Sequence, residues 1–396
     1  MNALINFLMQ EDVKQFIKDN LYSDTSKLLL NPPKDLKSGI NNIVDQIISR
    51  QKAKGKLEDW RNNFDLIMPP PLSIEQASSN TTCKYKSKLI SGHHFIDLTG
   101  GMGIDFLALS DSFERATYVE TQKNLCEVFQ HNLRELNKDA EVINSDAIDF
   151  LSNLNSESGN RIIYLDPARR DDNKSRVFAI EDCTPNLIEL LPELRKKASR
   201  ALVKFSPMLD IQSILDSVSN VKEVHVVSVK NECKELLLLI DFEFNGSPEI
   251  ICANLDTNQP VYSFKVEEER EITATNSSEL EYLLEPNSSI MKAGAFNKLS
   301  VDMGAQKISA NTHLYTSNDP IENFPGRTFK ILGEVDKKSI ARFASDKKIN
   351  VITRNHPLSA NELKKKWKLK DGGDYFLIAF RNQANTPMIV VADRLD

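Results

Sequence analysis

The chain has little that would tie it to a membrane or to an oxidising compartment. Its apolar runs are short, "LLLLI" at 236–240 among them, against the roughly 20 apolar residues a membrane helix needs. The opening "MNALINFLMQEDVKQF" shows no basic leader and no small-residue cleavage site, so a cytoplasmic protein is expected. Cysteine is scarce: five, at 83, 126, 183, 233 and 252, with no C-x-x-C spacing. That excludes a zinc site or redox pair built on such a spacing and leaves reduced, mostly buried thiols. His93 and His94 have no acid or histidine partner at helical spacing and read as surface residues, so no metal is expected. Internal repeats and low-complexity tracts are missing as well.

A strong net charge of one sign is also lacking. At −6 over 396 residues the chain is no polybasic coat for nucleic acid. The charge is nevertheless unevenly placed, because residues 321–396 hold 15 Lys/Arg against 9 Asp/Glu, a local +6 that leaves −12 on the rest. Such a basic appendage speeds encounters with phosphate backbones; a solvated lysine face is the alternative. With 40% hydrophobic and 27% charged residues, the length suits two to four domains.

From residue 1 to about 62 the pattern is helical. "INFLMQEDVKQFIKDNL" puts apolar residues at 5, 8, 9, 13, 16, 17 and 21, the spacing of one buried helix face. "MPPPLSIEQASS" stops that pattern and starts a new helix, with Ser73 as N-cap and Gln76 three residues on. From 92 to about 245 short apolar runs alternate with amphipathic helices, which predicts an α/β fold with a parallel sheet. The last two runs, "EVHVVSV" and "ELLLLIDFEF", are separated by only "KNECK" and should pair antiparallel. Beyond 246, "EIICANLD" and "PVYSFKV" read as a hairpin and "NSSELEYLLEPNSSIMKAGAFNKLS" as a loop followed by a helix. The final part alternates strands with the helices "KKSIARFASDK" and "SANELKKKWKL" in a small α+β layout.

Function concentrates in "FIDLTGGMGIDFLALS", residues 95–110. Here Gly100, Gly101 and Gly103 stand between a strand and a helix, where glycine lets the backbone turn sharply and lets a ligand lie against peptide N–H groups. A tight turn with no ligand is the competing reading. The dinucleotide fingerprint fails because position 106 is Phe, and no G-K-[ST] follows. NAD and ATP lose ground. The next strand ends in Glu120, placed to accept both ribose hydroxyls of a nucleoside. The third ends near Asp146, which can accept from an adenine amino group while the Ala147 N–H meets a ring nitrogen. The fourth ends in Asp166 and the rigid Pro167. Ligands of open α/β sheets bind at the carboxyl ends of strands, so Asp97, Thr99, Glu120, Asp146 and Asp166 are expected around one crevice.

These stretches resemble a family. "FIDLTGGMGID", "YVE", "NSDA" and "YLDPAR" are similar to the ordered motifs of class I S-adenosylmethionine-dependent methyltransferases, across about 150 residues. More narrowly, "EQASSNTTCKYKSKLI", "EPNSSIMKAGAF", "NTHLYTS", "FPGRTF" and "LKLKDGGDYFL" resemble a bacterial methyltransferase family with a ferredoxin-like segment and a C-terminal THUMP-like domain. The resemblance implies a Rossmann-like core with a mostly parallel seven-stranded sheet, S-adenosylmethionine as cofactor, and RNA as substrate. It implies a division into a helical unit (1–65), the methyltransferase core (66–270), a ferredoxin-like segment (271–325) and a basic THUMP-like domain (326–396). Cofactor contacts then fall to Asp97, Thr99, Gly100, Gly101, Gly103, Glu120, Asp146 and Ala147.

Amine-methylating relatives carry [DNS]-P-P-[YFW] after the fourth strand, and this chain has "DPAR". Asp166 and Pro167 match and would accept from an exocyclic amine; Ala168 and Arg169 replace the second proline and the stacking aromatic. Arg169 and Arg170 are then substrate contacts, stacking on a base or binding phosphate, unless they only pair with Asp171, Asp172 or Glu181. Phe178 is a possible stacking platform, and Lys204 either reaches the acceptor or only neutralises carboxylates. Cys183 is a nucleophile or, as is commoner, a buried thiol. In "NELKKKWKLKDGGDYFLIAF" the lysines around Trp367 suit RNA contact, while Leu363 and Trp367 at i and i+4 also suit a buried helix face. Competing functions are methylation of a protein or small molecule, and RNA binding with a vestigial cofactor site.

Overall fold

The computed structural model describes residues 3–156, 160–169, 180–279 and 281–395. It falls into two compact units: Met1–Val221 with Leu238–Asn245, and Lys222–Leu237 with Gly246–Asp396.

In the first unit, short helices precede a parallel sheet. The expected leading helix is two, Ala3–Leu8 and Glu11–Asp19, because the backbone turns extended at Gln10. Both halves still bury the same face: Ile5, Leu8, Val13 and Ile17 pack with Ile43, Val44 and Ile47 of helix Ile40–Lys52. The linker that follows is irregular yet held tightly. Arg50, 1% exposed, donates to the carbonyls of Trp60, Arg61, Asn63 and Leu66 at 2.7–3.1 Å, which satisfies backbone that makes no ladder. Burial, and then Arg61 nearby, lowers its guanidinium to about 10. Ser73 is not an N-cap. The helix Pro71–Gln76 starts on a proline, which needs no donor, and the capping box lies further on, where Ser79 and Thr82 exchange bonds ahead of helix Asn80–Lys86.

The strands are β1 Gly92–Asp97, β2 Phe113–Glu120, β3 Glu141–Asn144, β4 Arg161–Leu165 and β5 Arg200–Phe205. They run parallel in the order β5-β4-β1-β2-β3. β4 is buried along its whole length, as a central parallel strand covered on both faces must be. His94 corrects an expectation: it is buried, its Nε2 2.9 Å from Thr117 Oγ1, and burial with Arg115 and Arg161 nearby holds its ring at about 4, so it stays neutral near pH 7.

The second unit contains β6 Val221–Val229 from Lys222 onward, the start of β7 Glu232–Asp241, β8 Glu249–Leu255 and β9 Tyr262–Lys265. Lys230 and Asn231 join β6 to its neighbour β7 with φ of 49° and 66°, the two positive angles that a tight antiparallel hairpin requires. β9 returns antiparallel on β8, the expected hairpin. A further seven-stranded sheet has β10 Tyr282–Pro286, β11 Gln306–Lys307, β12 Tyr315–Ser317, β13 Gly326–Glu334, β14 Asn350–Arg354, β15 Tyr375–Arg381 and β16 Pro387–Arg394. β10 lies in a stretch that reads as loop from sequence. "KKSIARFASDK" forms only short 3₁₀ turns at Ser339–Arg342 and Ser345–Lys347, whereas Ala360–Trp367 is the expected helix, capped by Ser359 and Glu362. Among the described residues no helix is long and apolar enough to cross a membrane.

Candidate active site

Where the carboxyl ends of the first unit's strands meet, a cleft of about 560 Å³ opens, within the usual size of a small-molecule site. Asp97, Thr99, Gly100, Gly101, Gly103, Glu120, Asp146, Ala147, Asp166 and Lys204 all line it. Pro167 is buried and is not among the lining residues, although Asp166 and Ala168 on either side are. The backbone of Arg169 pairs with Cys183, which is buried. Arg170 and Phe178, expected to touch substrate, lie outside the described residues.

The glycines divide by role. A Cβ on Gly100 would sit 2.2 Å from the ring of Tyr118, and one on Gly103, where φ is +79°, would sit 2.0 Å from Phe129. Those rings stack at 4.1 Å behind the loop, so both glycines admit the protein's own core. Gly101 differs. Its φ is +53°, and the nearest atom to an added Cβ is the Thr99 carbonyl oxygen at 3.7 Å, leaving the space beside it for a ligand.

The acids are built into the strand ends. Asp97, 1% exposed, accepts from Thr99 N–H at 2.9 Å. Burial pushes its carboxyl up to about 8 against the pull of that bond, and Asp105 and Asp166 add to the rise. A cation brought beside it restores the ionised form. Thr99 Oγ1 in turn accepts from Asp166 N–H at 2.7 Å, tying the ends of β1 and β4 together. Glu120 accepts from the N–H groups of Gly101 (3.0 Å) and Gln122 (2.8 Å). Asp146 caps helix Ala147–Asn153 by accepting from Ile148 N–H at 2.8 Å.

One further acid stands out only in the fold. Asp105 lies in the first turn of helix Ile104–Ser110, within the quoted "GGMGID", where a carboxylate is ordinarily a helix-start residue. Here Lys86, Ser78 and Tyr164 surround it at 2.9, 3.0 and 2.9 Å, and Lys204 lies 3.2 Å away. Burial alone would raise its carboxyl, but the ammonium groups of Lys204 and Lys86 outweigh burial and hold it well below the carboxylate range. Lys204 also pairs with Asp166. The only sequence signal was the lysine-bearing "CKYK" beside the glycine motif in the same family resemblance. Among the described residues no cluster of three His, Cys, Asp or Glu is placed to hold a metal ion.

Comparisons with known proteins give this geometry a family. A family described as conserved hypothetical protein 95 matches residues 66–184, a ferredoxin-like domain matches 282–325 and a THUMP domain-like family matches 326–394. A solved structure from Porphyromonas gingivalis W83, described as a methyltransferase, is 31% identical, covers 97% of this chain and 98% of its own, and has a TM-score of 0.87. The chain belongs to that methyltransferase family. Its core is Rossmann-like, its activity is methyl transfer, and its cofactor is S-adenosylmethionine, the donor that supplies an electrophilic methyl group. Shallower likenesses include yhhF of Escherichia coli (22% identity, 41% of this chain, 84% of that one, TM-score 0.30). Another is a Streptococcus mutans structure in complex with SAH (12% identity, 44% and 98%, TM-score 0.30). No curated protein sequence matches the chain.

The lining leaves open space at Gly101 and presents the carboxylate of Glu120 and the buried acid Asp97, groups that would fit such a cofactor. Glu120→Gln is expected to weaken S-adenosylmethionine binding about 10-fold or more in isothermal titration, the worth of a charged hydrogen bond. Unchanged affinity would remove Glu120 from the cofactor site.

Proposed function

We propose that this methyltransferase acts on RNA, transferring the methyl group to an exocyclic base amine, with guanine N2 of ribosomal or transfer RNA as the best candidate. Asp97, Thr99, the glycines, Glu120, Asp146 and Ala147 hold the cofactor. Asp166, with the Pro167 carbonyl, accepts from the amine, and Arg169, Arg170, Phe178 and Lys204 serve the substrate side. The four-part division at 65, 270 and 325 belongs to the same reading. It is carried by one observation: a carboxylate, Asp166, lines the cofactor cleft at the strand end adjacent to Asp97, where an amine donor needs an acceptor. In-line transfer requires mainly that donor and acceptor be held in contact, so few residues need chemistry of their own.

The RNA part draws on the basic C-terminal region and its THUMP domain-like match. Leu363 is buried and Trp367 packs against its cluster, while Lys365 and Lys366 are exposed, so contact there is electrostatic. Lys365→Glu with Lys366→Glu is expected to weaken binding of bulk RNA and to flatten the salt dependence by up to about 2 in log–log slope, read by electrophoretic mobility. The substrate itself is tested by mass spectrometry of nucleosides from cells lacking the protein. One methylated nucleoside should disappear, and an unaltered set would sink the RNA reading.

A further inference from the structure

The motif "EQASSNTTCKYKSKLI" brings Gln76, Ala77 and Ser78 to the cleft lining and supplies the fully buried Lys86. Four charged side chains are strung from there to the cleft. Lys86 Nζ lies 2.9 Å from Asp105 Oδ1; Asp105 Oδ2 lies 3.2 Å from Lys204 Nζ; and Lys204 Nζ pairs with Asp166 Oδ2. Side-chain exposures run 0%, 12%, 12% and 38% in that order, so the string begins in the core and opens at Asp166. Ser78 and Tyr164 donate to Asp105 Oδ2, at 3.0 and 2.9 Å, so its orientation leaves little freedom.

The charges alternate. Two ammonium groups and one carboxylate are largely out of water, and Asp166 brings a second carboxylate to Lys204 at the open end. Well-packed apolar residues in place of such a buried charged string are often neutral or stabilising, so holding the core together does not require it. An aspartate at a strand end swings about two side-chain bonds; the Lys204 ammonium fixes it. Lys204 is itself fixed, since its neighbours Val203 and Phe205 are buried in β5 and its head is held by Asp105.

We propose that Lys204 is a positioning residue for the acceptor site, holding the Asp166 carboxylate towards the incoming amine, and that Asp105, anchored on Lys86, holds Lys204. This rests on the reading of Asp166 as the acceptor-binding group.

The test is a double-mutant cycle on the full-length enzyme, with labelled S-adenosylmethionine and whichever fraction of a lysate from cells lacking the protein, RNA or protein, accepts methyl. Lys204→Met is expected to lower kcat by about 10- to 100-fold, no more than loss of the Asp166 carboxylate itself, with cofactor affinity by titration changed less than threefold. Lys204→Arg should restore most of the rate. Because Lys204 acts through Asp166, Lys204→Met with Asp166→Asn should be no slower than Asp166→Asn alone. That double variant removes one charge of each sign, so it is the one expected to fold if Lys204→Met does not. Additive losses, a Lys204→Met enzyme at the parent rate, or equal losses of rate and cofactor affinity would each overturn the proposal. A protein fraction that accepts methyl where RNA does not would overturn the RNA reading, while the cycle still decides the role of Lys204.

Discussion

Asp166→Asn lowers methyl transfer by about 10- to 100-fold while S-adenosylmethionine binds within about threefold of the parent; this is the expected result if the carboxylate receives the acceptor amine. The magnitude follows from losing a charged hydrogen-bond acceptor, worth roughly 1.5–3 kcal/mol. The selectivity follows from position. Asp166 is held by its backbone N–H on Thr99 Oγ1 at 2.7 Å, a bond that the substitution leaves intact, so the strand ends that shape the cofactor site should not move. Asparagine keeps the size and one acceptor oxygen but not the charge. A variant transferring at the parent rate would remove Asp166 from the acceptor site and leave the cofactor assignment untouched.

Two neighbouring glycines should respond in opposite ways. Gly103→Ala puts a Cβ 2.0 Å from the Phe129 ring at a φ of +79°. Overpacking costs about 1–3 kcal/mol and the left-handed backbone about 1–2 kcal/mol more. The Phe129 ring cannot give way easily, because it stacks on Tyr118 at 4.1 Å and meets Phe106 edge-on at 5.3 Å. A fall of several degrees or more in Tm is expected in thermal denaturation. Gly101→Ala meets nothing closer than 3.7 Å. Its stability cost should be limited to the backbone term of about 1–2 kcal/mol, while titration shows weakened cofactor binding. Equal effects of the two changes on Tm would overturn this division of labour.

Much of the core could be read from residues in order. Strand ends carrying Asp97, Glu120, Asp146 and Asp166 were legible because a parallel sheet puts every strand's carboxyl end at one edge, so one-dimensional spacing already implies a shared crevice. Other features were not legible, for identifiable reasons. Ser73 and Gln76 satisfied the capping pattern, but Pro71 took the first helical position instead. "FLMQEDV" kept a helical apolar period across an extended Gln10, since both helices bury the same side. β10 was hidden because its five residues, "YLLEP", are too few for a period of two to show, and its partners β12 and β13 come later in the chain.

The same contrast separates what the chain's order determined from what folding alone decided. Order sets which residues end each strand, because alternation and turn chemistry are local, and that was enough to point to a nucleoside-type cofactor. Only the tertiary structure decided which glycines make room for Tyr118 and Phe129 and which leaves open space beside it. It alone showed that His94 is buried and that Lys86, from a helix ahead of the sheet, and Lys204, from β5, both meet Asp105. Those contacts join residues up to 126 positions apart, as Ser78 and Lys204 are. Packing of distant segments, and the loss of water around their charges, carries no local signature along the chain.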